Sequence, residues 1–159
     1  MTPRAGTTPP DYRAMAEFRY QIRRFLRFSE EAARAAGLEP QQYLLLLALK
    51  GLPEDSRGRI GELAERLQIQ HHSTVELVDR LARRNLVKRR RGEHDRREVL
   101  LELTARGEKL LQELAIHHRD ELQELGPELV ASLRRVLRDR ASDNGTARAS
   151  RKRARSMKT

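Results

Sequence analysis

Cysteine is absent from these 159 residues, which excludes a disulfide framework, a thiolate nucleophile, a Cys-bearing zinc site and cysteine-based redox sensing. Long apolar runs are missing as well. The longest, Tyr43 to Leu49, is far short of the ~20 residues that a membrane span requires. The opening stretch MTPRAGTTPP holds one Arg and no apolar h-region, so no secretory signal is expected. No P-loop, Gly-rich dinucleotide fingerprint or H-E-x-x-H occurs. Glu30-Glu31 and Glu54-Asp55 read as surface carboxylates, because neighbours on a helix do not face each other. These absences leave no case for an enzyme or a cofactor. They predict a soluble, cytoplasmic, mainly helical protein.

Positive charge is plentiful. Lys and Arg number 33 against 23 Asp and Glu, a net charge of +10, so the first partner to consider is a polyanion. The excess is not spread evenly. Residues 1–56 carry 8 basic and 7 acidic side chains, and residues 98–139 carry 6 and 9. Residues 57–97 carry 12 and 6, and residues 140–159 carry 7 and 1. Two blocks therefore hold the charge, one in mid-chain and one at the end. Residues 1–10, rich in Pro, Thr and Gly, and the basic tail 140–159 are expected to be disordered, since neither can bury enough surface to offset its ordering entropy. The tail reads either as a sequence-independent attraction for phosphates or as a solvated end without a dedicated role.

Between the tails the apolar spacing outlines the elements. From Asp11 to about Ala36, steps of three and four (Met15, Phe18, Ile22, Phe25, Leu26, Ala32, Ala33) predict a long amphipathic helix ended by Gly37. Pro40 opens a second helix that is apolar on every side and so is expected to be buried. Arg59-Ile60 reads as a short strand, followed by helices over about 61–67 and 71–84, with Asn85 suited to a left-handed cap. Residues 86–91 and 98–103 read as a hairpin around a charged turn. Thr104 caps a fifth helix to about Leu125, and Gly126-Pro127 is expected to break it and start a sixth, to about Arg138.

The stretch from Ile60 to Leu103 carries the chemistry. Leu63, Ala64, Leu67, Val75, Val78 and Leu81 form an apolar network across two helices joined by a short turn, which forces a steep crossing and projects the start of the second helix outward. In a major groove that end presents Gln70, His71, His72, Ser73 and Thr74 to base edges and phosphates. By itself the pattern is equally that of an ordinary packed helix pair. The hairpin behind it, with the run Lys88–Arg91 and with Arg96 and Arg97 at its tip, adds a basic ribbon suited to the adjacent minor groove.

At this point the chain from about Tyr12 to Leu137 resembles the multiple antibiotic resistance regulator (MarR) family of bacterial transcription factors. The resemblance is carried by His72-Ser73-Thr74-Val75, by Leu77-Val78-Asp79-Arg80-Leu81, by Leu86-Val87, and above all by Asp95-Arg96-Arg97 followed by Leu103-Thr104 and Gly107. It implies a mainly α fold with a small β-wing: a winged helix-turn-helix over about 54–103 inside a domain spanning 11–139. Helices 11–36 and 104–139 would serve dimerisation, and two winged helices would read a pseudo-palindrome in double-stranded DNA. It also implies that Arg97 enters the minor groove, that Arg96 contacts the backbone, and that Asp95 holds the wing through an ion pair with a nearby arginine. Arg80, Arg89 and Arg91 complete the expected DNA-binding set. Glu76 would repel phosphates unless it pairs with Arg80 one turn on or accepts from a cytosine amine; intrahelical pairing is the preferred reading.

In that family, small aromatic or anionic effectors bind near helices 1, 2 and 5. A site of that kind would draw on Tyr20, Arg23, Arg27 and Tyr43, although nothing in their spacing selects them. The six aromatics all lie within the first 43 residues and read first as core and dimer contacts. No metal is expected: adjacent histidines such as His117 and His118 point ~100° apart on a helix, and the spacing of His117 to Glu113 and Glu121 is common on solvated faces. The reading is a homodimeric, sequence-specific DNA-binding regulator, a repressor relieved by such an effector. The alternative is a non-specific nucleic-acid-binding architectural protein. A helical partner-binding protein with no nucleic-acid role fits the basic block poorly.

Overall fold

Local signals set where each helix begins and ends. The computed structural model describes residues 11–92 and 98–156, with side chains as far as 138. The order is α1 (Tyr12–Ala35), α2 (Pro40–Lys50), α3 (Ile60–Leu67), α4 (His71–Arg83), β1 (Val87–Arg91), β2 (Val99–Leu103) and α5 (Ala105–Ser156). Asp11 Oδ1 accepts the Ala14 N–H at 2.9 Å and starts α1. Gly37, at φ +73°, ends it with the Leu38 N–H on the Ala33 carbonyl. Pro40 occupies the first turn of α2, where its missing N–H costs nothing. Asn85 takes the left-handed conformation, φ +55°, that its place after α4 predicted.

Glu62 fixes the entry to α3. Its Oε2 accepts from the Ser56 hydroxyl at 2.8 Å, the Gly58 N–H at 3.0 Å and the Arg59 N–H at 3.2 Å. Burial works to raise this carboxyl, but the hydrogen bonds from Ser56 and from the backbone of Arg59, Gly58 and Arg57 outweigh it and hold Glu62 below its ordinary value.

The chain forms two compact units, one from Phe28 to Asp120 and the other from the residues up to Arg27 with those from Glu121 onward. The first contains the winged helix. Leu45, Leu46 and Leu49 of α2, Leu63 of α3, Leu77, Val78 and Leu81 of α4, Leu101 of β2, and Leu111 and Leu114 of α5 make one core. Removing Leu63 or Leu81, both fully enclosed, would cost about 2–5 kcal/mol each. The sheet is a two-stranded antiparallel ribbon in the register Val87↔Leu103 to Arg91↔Val99, extended by the Gly92 N–H on the Glu98 carbonyl.

The second unit is the N-terminal part of α1 and the C-terminal part of α5. Among its described residues Ala14, Gln21, Leu125 and Ser132 are buried, while Tyr12, Tyr20, Leu26, Leu133 and Leu137 are exposed in the single chain.

Four expectations are corrected. Arg59 makes an isolated bridge to Leu100, but Ile60 already belongs to α3 rather than to a strand, because the Glu62 cap closes the first helical turn there. Helix α2 is not buried all round: Leu44 and Leu47 are 39% and 42% exposed, while Gln42 faces inward. A single helix can present only one face to one core, and the Gln42 amide oxygen accepts there from the Glu39 N–H and from the Arg84 guanidinium. Gly126-Pro127 does not break the last helix, which continues through Pro127. Proline removes one hydrogen bond and strains the preceding turn, at about 3 kcal/mol, but the long helix on both sides propagates past it. The backbone is also helical to Ser156, where disorder was expected from residue 140. Ala, Arg and Lys are strong helix formers, and a preformed helix supplies the nucleus that an isolated segment lacks.

Replacing Glu62 with Gln should lower stability by about 1 kcal/mol at neutral pH, the usual worth of a cap. Because the folded carboxyl lies below its ordinary value of 4.5, its contribution is complete above that value and is lost as pH falls through the folded one. Urea denaturation of the two proteins should therefore diverge at pH 7 and converge once the pH has fallen below the folded Glu62 value; a gap that does not shrink as the pH is lowered would contradict the role of the charge.

Candidate nucleic-acid interface

The turn from α3 to α4 occupies only residues 68–70. Gln68 takes φ +54°, and the Ile69 N–H returns to the Ala64 carbonyl at 3.1 Å, so the chain reverses over the end of α3 and α4 must cross it. Leu63 packs with Val78 and Leu81 inside that crossing. The first turn of α4 is left facing outward. Gln70, His71 and His72 are exposed and Ser73 is half-buried. Gln70 makes no side-chain cap bond, so the early N–H groups of the helix, which have no intrahelical acceptor, are available to an external anion.

Thr74 departs from its expected role. It is 0% exposed, and its hydroxyl donates to the Gln70 carbonyl at 3.2 Å. It belongs to the packing of the turn, and the residues before it are the ones left facing outward. The apolar seam of α4 runs through positions 74, 77, 78 and 81, a spacing that carries Thr74 inward.

The basic ribbon is heavily paired. Arg89 reaches Asp79 of α4 at 2.6 Å, and this contact ties β1 to the helix. Lys88, directly opposite Glu102 in the register, meets it at 3.2 Å, and Arg90 meets the same carboxylate at 2.5 Å. The Lys88 hydrogen bond leads in holding Glu102 below its ordinary value; Arg90 adds to it against the opposing effect of burial. At the base of β2, Glu98, with its side chain only 12% exposed, receives both Arg57 and Arg59. Arg80 pairs with Glu76 at 3.4 Å, the intrahelical partner its spacing predicted. Arg91 is exposed at the end of β1. Asp95, Arg96 and Arg97 lie outside the described residues. Asp79, Glu98 and Glu102 are the acidic partners that sequence reasoning missed, although the Lys88–Glu102 pair is implicit in the hairpin register.

The four residues considered for an effector are divided. Tyr20, Arg23 and Arg27 belong to one unit, exposed on α1, and the Arg24 guanidinium lies 6.0 Å from the Tyr20 ring centre. Tyr43 belongs to the other and is buried, and that burial raises its phenol. It stacks at 4.5 Å on His118, whose Nε2 lies 2.8 Å from the Ser29 hydroxyl and whose Nδ1 lies 2.6 Å from the Leu114 carbonyl. A cavity of about 380 Å³ beside them is walled by Phe28, Leu110 and Leu114, with Glu113 and His117 among its lining residues. None of the four residues lines it. Sequence reasoning had weighed His118 only as a metal ligand; its real surroundings depend on contacts between helices far apart in the chain.

Comparison with known proteins agrees with this architecture. The model of the MarR family matches residues 36–98. The HTH-type transcriptional repressor MdtR of Bacillus subtilis (strain 168) is 30% identical over 84 residues, 53% of this chain and 52% of that protein. The chain thus spans about half the length of the curated relatives it matches. The transcriptional repressor CouR, solved bound to a 23-mer DNA duplex, is 30% identical with a TM-score of 0.58, over 77% of this chain and 87% of that one. AbsC, a MarR family transcriptional regulator from Streptomyces coelicolor, shares the fold with a TM-score of 0.64 at 23% identity, over 86% of this chain and 92% of its own.

The Arg89–Asp79 contact is solvent-facing, so a double-mutant cycle with Arg89→Gln and Asp79→Asn should return a coupling of about 0.2–1 kcal/mol that shrinks with added salt. A coupling of zero at low salt would remove it as the tie between ribbon and helix.

Proposed function

Because this chain belongs to the MarR family of transcriptional regulators, we propose that it is a homodimeric, sequence-specific DNA-binding regulator that represses by occupying its operator. One observation carries the proposal: an uncapped, outward-facing helix start bearing Gln70, His71, His72 and Ser73 belongs to the same unit as an antiparallel ribbon rich in arginine. The helix start offers donors and the positive end of a dipole to phosphate and base edges. The ribbon carries Arg89 and Arg91 and leads toward Arg96 and Arg97.

The CouR complex supports a duplex as the partner, and the similarity to the transcriptional repressor MdtR supports repression. Support for a second copy comes from the outer parts of α1 and α5. Their exposed Tyr12, Leu26, Leu133 and Leu137 are apolar surface of the kind that an interface covers. In this proposal residues 11–36 and 104–139 form the dimerisation helices and about 54–103 the winged helix. Relief by a small aromatic or anionic effector completes it, with Tyr20, Arg23 and Arg27 exposed to meet such a molecule. A cytoplasmic setting is part of the same reading; among the described residues no helix is long and apolar enough to cross a membrane.

Arg97→Ala should weaken binding to a cognate duplex by about 1–3 kcal/mol while the protein stays folded and dimeric. Titration against cognate and random duplexes checks this. Unchanged cognate affinity would remove Arg97 from the interface, and a wild-type cognate-to-random ratio near one would favour an architectural role instead.

A further inference from the structure

Four elements meet at one point of the winged-helix unit. The end of α4 closes with the Asn85 N–H on the Ala82 carbonyl and the Leu86 N–H on the Leu81 carbonyl. β1 begins at the next residue, and β2 ends beside it through the Val87↔Leu103 pair. The Thr104 N–H donates to the Leu86 carbonyl at 3.1 Å. The Thr104 hydroxyl donates to the Asn85 carbonyl at 2.7 Å and accepts the Gly107 N–H at 3.0 Å, so one side chain joins the cap of α4 to the cap of α5. Gly107 is buried, and a Cβ built on it would collide with the Leu86 carbonyl oxygen.

From this geometry we propose that Thr104 and Gly107 are positioning residues for DNA reading. They lock the first turn of α5 onto the recognition helix and wing, and so set the half-site spacing that the two reading heads accept. The proposal rests on the dimeric DNA-binding role above. Neither residue is placed against DNA; both act through α4, β1 and α5. Hydrogen bonds on both sides of the Asn85–Leu86 peptide and the absence of a Cβ at Gly107 hold the first turn of α5 close against the reading elements. Any side chain at 107 must push the helix start back by ~1 Å or more to reach ordinary contact distance. α5 rises about 1.5 Å per residue, so a small tilt at its start becomes a larger displacement along it. Reading groups have to be held within about 0.5 Å to act together, and a two-headed reader is sensitive to such a shift in its spacing.

The test compares full-length wild type, Thr104→Val, Thr104→Ser and Gly107→Ala. Binding is measured on duplexes carrying the half-sites that the wild type enriches from a random pool, at the spacing it prefers and at one base pair more or less, with a random duplex at low salt as reference. The valine keeps the shape but loses both hydroxyl bonds; the serine keeps them. Thr104→Val and Gly107→Ala should lose roughly tenfold at the preferred spacing, the scale of one mismatched base pair, or move the optimum. Random-duplex affinity should stay within about twofold, because phosphate contacts carry it, and Thr104→Ser should behave as wild type. A purely structural role would lower the melting temperature and leave the spacing profile in place. Should Gly107→Ala not fold, the valine and serine pair decides alone. Folded variants with the wild-type spacing profile overturn this proposal only. A wild type with no spacing preference overturns both it and the reading on which it rests.

Discussion

The arrangement depends on the crossing of α3 over α4. Only residues 68–70 separate the two helices, and the left-handed Gln68 turns the chain so that Leu63, Val78 and Leu81 close on one another. Each such side chain contributes about 1.5–3 kcal/mol when fully enclosed, far more than any solvent-facing ion pair nearby. The seam therefore decides which positions of α4 turn inward. It takes Thr74 into the core and leaves Gln70, His71 and His72 outside. The same packing that stabilises the unit thus selects which polar groups are free to meet a partner.

Around that seam, charge is arranged rather than merely accumulated. Asp79, Glu98 and Glu102 each hold one or two basic side chains of the ribbon or of the loop before α3. Exposed pairs of this sort add little to stability, but they fix the direction of long, flexible side chains. A basic block with built-in acidic partners is less indiscriminate toward polyanions than the formal charge of +10 suggests. That agrees better with a reader of particular sites than with a general condenser of nucleic acid.

Much of this is legible in the sequence. The α3–α4 pair, the hairpin, the left-handed Asn85 and the Glu76–Arg80 pair follow from local patterns, each acting within a few residues. Thr74, expected at the outward-facing start of α4, is enclosed because its place on the apolar stripe of that helix turns it inward. Pro127 was taken as a break because propensity is local and the length of the surrounding helix is not. The collision that any Cβ at Gly107 would meet, and the burial of His118 against Tyr43 and Ser29, arise from contacts 21 or more positions apart. Those depend on tertiary packing, which spacing along the chain does not specify.

The central claim is that the exposed start of α4 and the arginine-bearing ribbon read base sequence as a pair of heads. Selection of bound duplexes from a random pool by the full-length protein tests it most directly. The account predicts enrichment of an inverted repeat whose half-site centres lie about one helical turn apart. A bound pool with no enriched sequence, or with a single unrepeated site, would contradict it.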